Sequence, residues 1–261
     1  MPVPLLRLPA PVLLALLIGA MFGACGGDDD DAATPGSTDS LPSSGTATVP
    51  ATASIDQLAL DALDQAYAAF PTDLADGYAV GAADAPLTIT VYEDFQCPFC
   101  LRYTTIFEPL LVDEYVKAGH LRLEFQHLPI LGPESESAAT AAECAAQQDL
   151  FWELHHELFR LQAASGQLSS EVLNMGRFSD DALQAFAGDI GLDMAAYDAC
   201  FADPATLETV QDMAAAARAL GLTGTPGFVI NGMAMTGGAP ASPDAWRQLI
   251  DEWLAALGEE G

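Results

Sequence analysis

Basic side chains are scarce in this chain: 8 Lys and Arg stand against 37 Asp and Glu among 261 residues, a formal net charge of −29. A surface this poor in cations cannot displace counterions from a phosphate backbone, which excludes nucleic-acid binding as the basis of function. An anionic membrane surface is a poor electrostatic partner for the same reason. Histidine is rarer still, limited to His120, His127, His155 and His156, and none stands at ligand spacing from a cysteine. A second C-x-x-C is missing, so the paired-cysteine zinc arrangement is not available. No metal and no cofactor are expected. No internal repeat is visible, and a chain of this length buries a core without needing disulfides to fold.

A run long enough to span a bilayer is also missing. After Arg7 the sequence is apolar from Pro9 to Ala24, roughly 24 Å as a helix against a ~30 Å hydrocarbon core. That is the hydrophobic region of a signal peptide rather than a spanning helix. It stops at Phe22-Gly23-Ala24-Cys25, followed by Gly26-Gly27 and Asp28 to Asp31. Small residues before a cysteine that ends an apolar segment resemble the lipobox of bacterial lipoproteins, in which the cysteine is acylated. Phe22 departs from the aliphatic residue usual there. Residues 1–24 are therefore expected to be a signal peptide, Cys25 the lipidation site, and 25–52 a flexible acidic Ser/Thr/Pro/Gly tether too polar to offset its ordering entropy. The domain is expected over 53–261, outside the cytoplasm.

Five cysteines are present: Cys25, Cys97, Cys100, Cys144 and Cys200. Assigning Cys25 to a lipid leaves an even number, suited to an oxidising compartment. Of the three pairings open to four cysteines, 97–100 with 144–200 is the simplest, because Cys97-Pro98-Phe99-Cys100 is a C-x-x-C. Leu87 to Tyr92 before it is β-branched and aromatic, a strand. From Leu101 to Tyr115 the apolar spacing is helical, with Pro109 expected to kink or divide the helix. Cys97 thus falls at a helix N-terminus, with Pro98 in the first turn. Free N–H groups and the helix dipole lower a thiol pKa there, so Cys97 is expected exposed and nucleophilic, with Cys100 shielded behind it as the resolving thiol.

The segment Glu93-Asp94-Phe95-Gln96-Cys97-Pro98-Phe99-Cys100 resembles the active site of the DsbA-like thioredoxin-fold oxidoreductases. Gly224-Thr225-Pro226-Gly227-Phe228-Val229-Ile230-Asn231-Gly232 resembles the family's Thr-Pro stretch, whose proline is cis and abuts the redox pair. The resemblance spans about residues 77–257 and implies an α/β thioredoxin fold with an inserted α-helical subdomain, about 131–204. It implies Pro98, Phe99, Thr225 and Pro226 as substrate-contacting positions, with the backbone at Thr225 pairing to an extended substrate chain. It also implies Cys144–Cys200 as a staple within the insertion, worth roughly 4 kcal/mol in the chain-entropy model.

Locally, Leu121 to His127 reads as a strand, and Asn231-Gly232 as a hairpin turn after the strand Phe228 to Ile230. Leu150, Leu154, Leu158 and Leu161 recur along one helical face. Ser179 caps a helix that Gly191 ends, and Ile55 to Phe70 is a helix in front of the domain. His155 and His156, adjacent on a helix, are expected at the surface or its boundary. Trp152, Trp246 and Trp253 are expected to be packing residues.

The chain departs from the family in three places. Phe99 stands where the archetype has a thiolate-stabilising histidine, Val91 where a buried acid is common, and Thr225 where the strongest oxidants carry an aliphatic residue. Glu93 is the nearest acid to take over proton handling. The expectation is an exported, membrane-tethered thiol-disulfide oxidoreductase of protein substrates, forming disulfides in secreted proteins, monomeric, and recycled by a membrane redox partner. Reduction or isomerisation is the alternative within the class. A redox-silent peptide-binding module and a metal-handling lipoprotein are the alternatives outside it.

Overall fold

The structure, a computed structural model, describes residues 53–259; the expected signal peptide, Cys25 and the tether lie outside the described residues. Helix α1 (Ile55–Ala68) starts at Ser54, whose hydroxyl accepts from Gln57 N at 3.1 Å, and buries Ala59 and Leu63. Two short strands follow, β1 (Ala75–Asp76) and β2 (Ala79–Val80), then β3 (Leu87–Glu93). The β-branched run of β3 is covered on both sides, as a central strand requires.

Helix α2 (Pro98–Leu111) carries the C-x-x-C in its first turn. Pro109 neither ends nor visibly divides it: the helix runs to Leu111 and passes into a π-helical turn over Val112–Val116. Residues 112–116 thus take the change of winding where a division was expected. Strand β4 (Leu121–His127) alternates buried and half-buried positions and lies parallel to β3, Leu87 opposite Leu121 and Glu93 opposite His127.

Five helices then follow: α3 (Pro133–Ala146), α4 (Phe151–Ala164), α5 (Gln167–Ser170), α6 (Asp180–Asp189) and α7 (Met194–Phe201). Ser179 is the N-cap of α6 but its side chain makes no capping bond. At the other end Gly191, φ +89°, turns the chain so that Leu192 N bonds Ala187 O at 3.1 Å. A long helix α8 (Pro204–Ala219) leads to the hairpin β5 (Gly227–Ile230) and β6 (Met233–Ala234), and α9 (Pro243–Glu259) closes the domain. Asn231 (φ 45°) and Gly232 (φ 80°) form the hairpin turn, the left-handed pair that a two-residue connection needs. The sheet order is β1-β2-β4-β3-β5-β6, mixed, with only β3 and β4 parallel among its pairs. This is the thioredoxin-like fold, with helices added between β4 and α8.

An aromatic cluster joins added helices to sheet. Phe95 stacks on Phe125 at 5.7 Å between centroids, and His155 of α4 packs edge-on to Phe125 at 5.3 Å and to Phe159 at 5.0 Å. Trp246 is fully buried beside Phe228, and Trp152 donates its indole N–H to Ala79 O at 3.2 Å. The expected surface placement of His155 and His156 does not hold: they are 0% and 4% exposed. Neighbours on a helix point about 100° apart, but α4 is packed against α1, α2 and α3 together, so both directions are covered.

A disulfide links Cys144 in α3 to Cys200 in α7, with Cα atoms 5.7 Å apart. Replacing both by Ala is expected to lower stability by about 2–4 kcal/mol in urea unfolding, leaving the reactivity of Cys97 unchanged. A loss of exchange chemistry with full stability would contradict a purely structural role.

Candidate active site

Cys97 is the N-cap of α2 and Pro98 occupies its first position, where a missing N–H leaves no bond unmade. The end of β3 delivers the motif there, and Asp94 fixes the bend. Its Oδ1 accepts from Gln96 N at 2.8 Å and from the Ser135 hydroxyl at 2.7 Å, while Oδ2 accepts from Ile130 N at 2.7 Å and Leu131 N at 2.9 Å. Burial pushes the Asp94 carboxyl up and these four bonds oppose it. Asp94 thereby ties the motif to α3. The signal for this role was local: an aspartate two residues before Gln96 is the spacing of an Asx turn.

The Thr225–Pro226 peptide is cis, and Cys97 Sγ lies 3.3 Å from the Thr225 carbonyl. The structure therefore brings Cys97, Cys100, Thr225 and Pro226 to one place. Cys144 and Cys200 lie apart in the added helices. Phe99 is 62% exposed, whereas Cys97 is 4% and Cys100 0% exposed. Cys97 is thus more covered than its position suggested, although the order of the two thiols is the expected one. A segment distant in the chain accounts for it: Thr225 sits over the sulfur, while Phe99 projects outward at the helix start.

The two thiols are electrostatically unequal. The Cys97 pKa is lowered to about 7, first by the hydrogen bond from the Cys100 thiol, against burial, with further help from the Thr225 side chain and the N–H groups of Cys100 and Phe99. The Thr225 carbonyl can only accept, so it favours the thiol form; the hydroxyl, which donates, favours the thiolate. Burial, then the neighbouring Cys97, pushes Cys100 well above the ordinary thiol range. Nucleophile and reserve are separated by environment alone.

Beneath them lies Glu93, 2% exposed and hydrogen-bonded to Cys100 and, at 3.5 Å, to the Thr104 hydroxyl. Burial first, then Glu108 and Cys97, raise its carboxyl well above the usual range. Glu93 is thus no solvated strand end. Glu108, 4% exposed, was not singled out from sequence. Its signal was present: Leu101, Thr104, Glu108 and Leu111 form one buried stripe of α2, and Glu108 is the acid on it. A groove of about 180 Å³ runs beside the pair, lined by Phe99, Arg102, Tyr103, Phe107 and Pro226 with residues 239–241.

A family model described as thioredoxin matches residues 73–252, and the chain belongs to that family. The fold matches DsbA-like structures. BdbD from Bacillus subtilis superposes with a TM-score of 0.59 at 20% identity, covering 69% of this chain and 93% of that one. Wolbachia pipientis alpha-DsbA1 gives 0.58 at 21% identity, covering 75% and 98%. In sequence, "Probable disulfide bond formation protein D" of Bacillus anthracis is 33% identical over 85 residues, 32% of this chain and 39% of that protein. "Na(+)/H(+) antiporter NhaA 1" of Mycolicibacterium gilvum is 33% identical over 166 residues, 62% of this chain. The chain spans about a quarter of that antiporter's length (24%). Among the described residues no helix is long and apolar enough to cross a membrane.

Alkylation of Cys97 with iodoacetamide is expected to rise with pH through a midpoint near 7, as the thiolate forms above its lowered pKa. Cys100 should stay unreactive in the same range. A midpoint at the ~8.5 of a free thiol would contradict the environment described.

Proposed function

We propose that the chain is a protein thiol-disulfide oxidoreductase that works outside the cytoplasm, tethered by a lipid on Cys25, and that it forms disulfides in exported proteins. The observation that carries the chemistry is Cys97 at the N-terminus of α2, lowered to about 7, with a buried and raised Cys100 behind it. In the oxidised enzyme a substrate thiolate attacks the Cys97 sulfur, and the Cys97–Cys100 bond breaks with Cys100 leaving as thiolate. The substrate's second thiolate then attacks the mixed disulfide, forming the substrate disulfide and releasing Cys97. Two electrons pass from the substrate to the pair. Glu93 is the carboxyl positioned to give a proton to Cys100 as it leaves and to take one back in the reverse direction.

The Thr225 carbonyl lies 3.3 Å from the nucleophile, and in this reading the Thr225 backbone would bond an extended substrate strand. Exposed Phe99 and the adjoining groove supply apolar contact. A membrane redox partner would draw the electrons off. A reductase or isomerase is the second reading, favoured by the Cys97 value itself: thioredoxin's reactive cysteine lies near 7, that of the strong oxidant DsbA near 3.5.

Turnover of a dithiol peptide is expected to vanish in Cys97→Ala, and reduced Cys100→Ala to capture a disulfide-bonded peptide as a mixed disulfide on Cys97, the peptide's other sulfur leaving as thiolate. Glu93→Gln should slow the exchange step in which Cys100 leaves by about 100-fold or more while leaving Cys97 alkylation unchanged. Peptide binding by Cys97→Ala with no turnover in the parent would leave a binding module instead. Cys25→Ser should move the protein out of the membrane fraction; retention there would contradict the lipid tether.

A further inference from the structure

The proposed exchange chemistry does not use the imidazoles beneath it. Glu108 of α2 and His155 and His156 of α4 are all buried, and each offers one oxygen or nitrogen within 4.8 Å of the others. The orientation of His156 is fixed: its Nδ1 lies 2.7 Å from the Trp152 carbonyl. A carbonyl only accepts, so Nδ1 carries the proton and Nε2 of the neutral ring presents a lone pair. That Nε2 faces Glu108 Oε1 at 3.4 Å. Two acceptors in a buried site repel unless a proton or a cation lies between them. Neither ring nitrogen of His155 has a hydrogen-bond partner, and both are buried.

We infer that Glu108, His155 and His156 form a binding site for one divalent transition-metal ion, with Zn²⁺ the best match to two imidazoles and a carboxylate. Three protein ligands of this type leave a coordination position open. The ring centroids of His155 and His156 are 5.3 Å apart, with the planes at 86°. Two imidazoles bound to one tetrahedral ion at about 2.0–2.1 Å per nitrogen have centroids roughly 5 Å apart, so α4 already holds the pair at chelating separation. The bond from Nδ1 of His156 to a backbone carbonyl is the outer contact that orients a histidine ligand. Glu93 Oε1 lies 3.7 Å from His155 Nε2, but the Glu93 carboxyl faces Cys100 and, through Oε2, the Thr104 hydroxyl, and it is not one of the three groups that converge.

There is also room beside two of the ligands. A small cavity of about 20 Å³ between α1 and α2 is lined by both Glu108 and His156, with Asp113 on its wall. That volume admits one water or one ion and little else. The inference stands whether or not the dithiol exchanges disulfides, because none of its ligands is a cysteine.

The test uses the full chain with Cys25, Cys97 and Cys100 replaced by Ala, so that no free thiol competes for metal. Refolding it with Co²⁺ removes any barrier to entry. The expected result is one Co²⁺ per chain, with the visible absorption of low-coordinate cobalt and no sulfur charge-transfer band. Zn²⁺ should displace it, and the melting temperature should rise with Zn²⁺ concentration. Glu108→Gln and His156→Gln, each checked for a native circular dichroism spectrum, should weaken binding at least tenfold. If His156→Gln does not fold, the near-isosteric Glu108→Gln decides alone. Overturning results are a chain that retains no metal with an unchanged melting temperature, or metal binding that Glu108→Gln leaves intact.

Discussion

Everything at the site depends on where one sulfur is held. Cys97 Sγ lies at the start of α2, under the Thr225 backbone and against the Cys100 thiol. The helix supplies free N–H groups on one side, and the neighbouring thiol donates on another. Burial opposes both. The balance is a thiol that ionises around neutrality, nearer to thioredoxin than to the strongest oxidants. Phe99 contributes to that balance by what it lacks, since a histidine at that position would add a donor.

Holding the sulfur there is the task of the surrounding polar network. Asp94 bonds both the turn at Gln96 and the backbone at Ile130 and Leu131, so the motif and the start of the added helices are positioned by one carboxylate. Gln96 extends the same tie, its side-chain amide donating to Ser135 at 2.9 Å and its carbonyl oxygen accepting from Asn174 N at 2.7 Å. Removing a partner from such a network leaves a buried polar group unsatisfied, which costs more than one hydrogen bond contributes. The added helices are therefore part of the site's support as well as its cover.

Much of this was legible in sequence where the signal was local. The β-branched run before the C-x-x-C, the Asn231-Gly232 turn and the helix-ending Gly191 each depend on the residue's own backbone preference and its neighbours. The thioredoxin-like fold with added helices followed from two short motifs and the residues between them. What was not legible depends on packing from several directions. His155 and His156 look amphipathic in isolation, and become core only because α1, α2 and α3 all cover α4. The cover over Cys97 comes from Thr225, far along the chain. Glu93 sat at the edge of both readings, its burial set by elements that pattern alone does not place.

The most direct test of the central claim is the reduction potential of the Cys97–Cys100 pair, equilibrated against glutathione buffers. The account predicts reversible two-electron reduction at a potential between the ~−120 mV of DsbA and the ~−270 mV of thioredoxin. A pair that neither reduces nor exchanges, or one poised at or above ~−120 mV with no donor at Phe99, would contradict it.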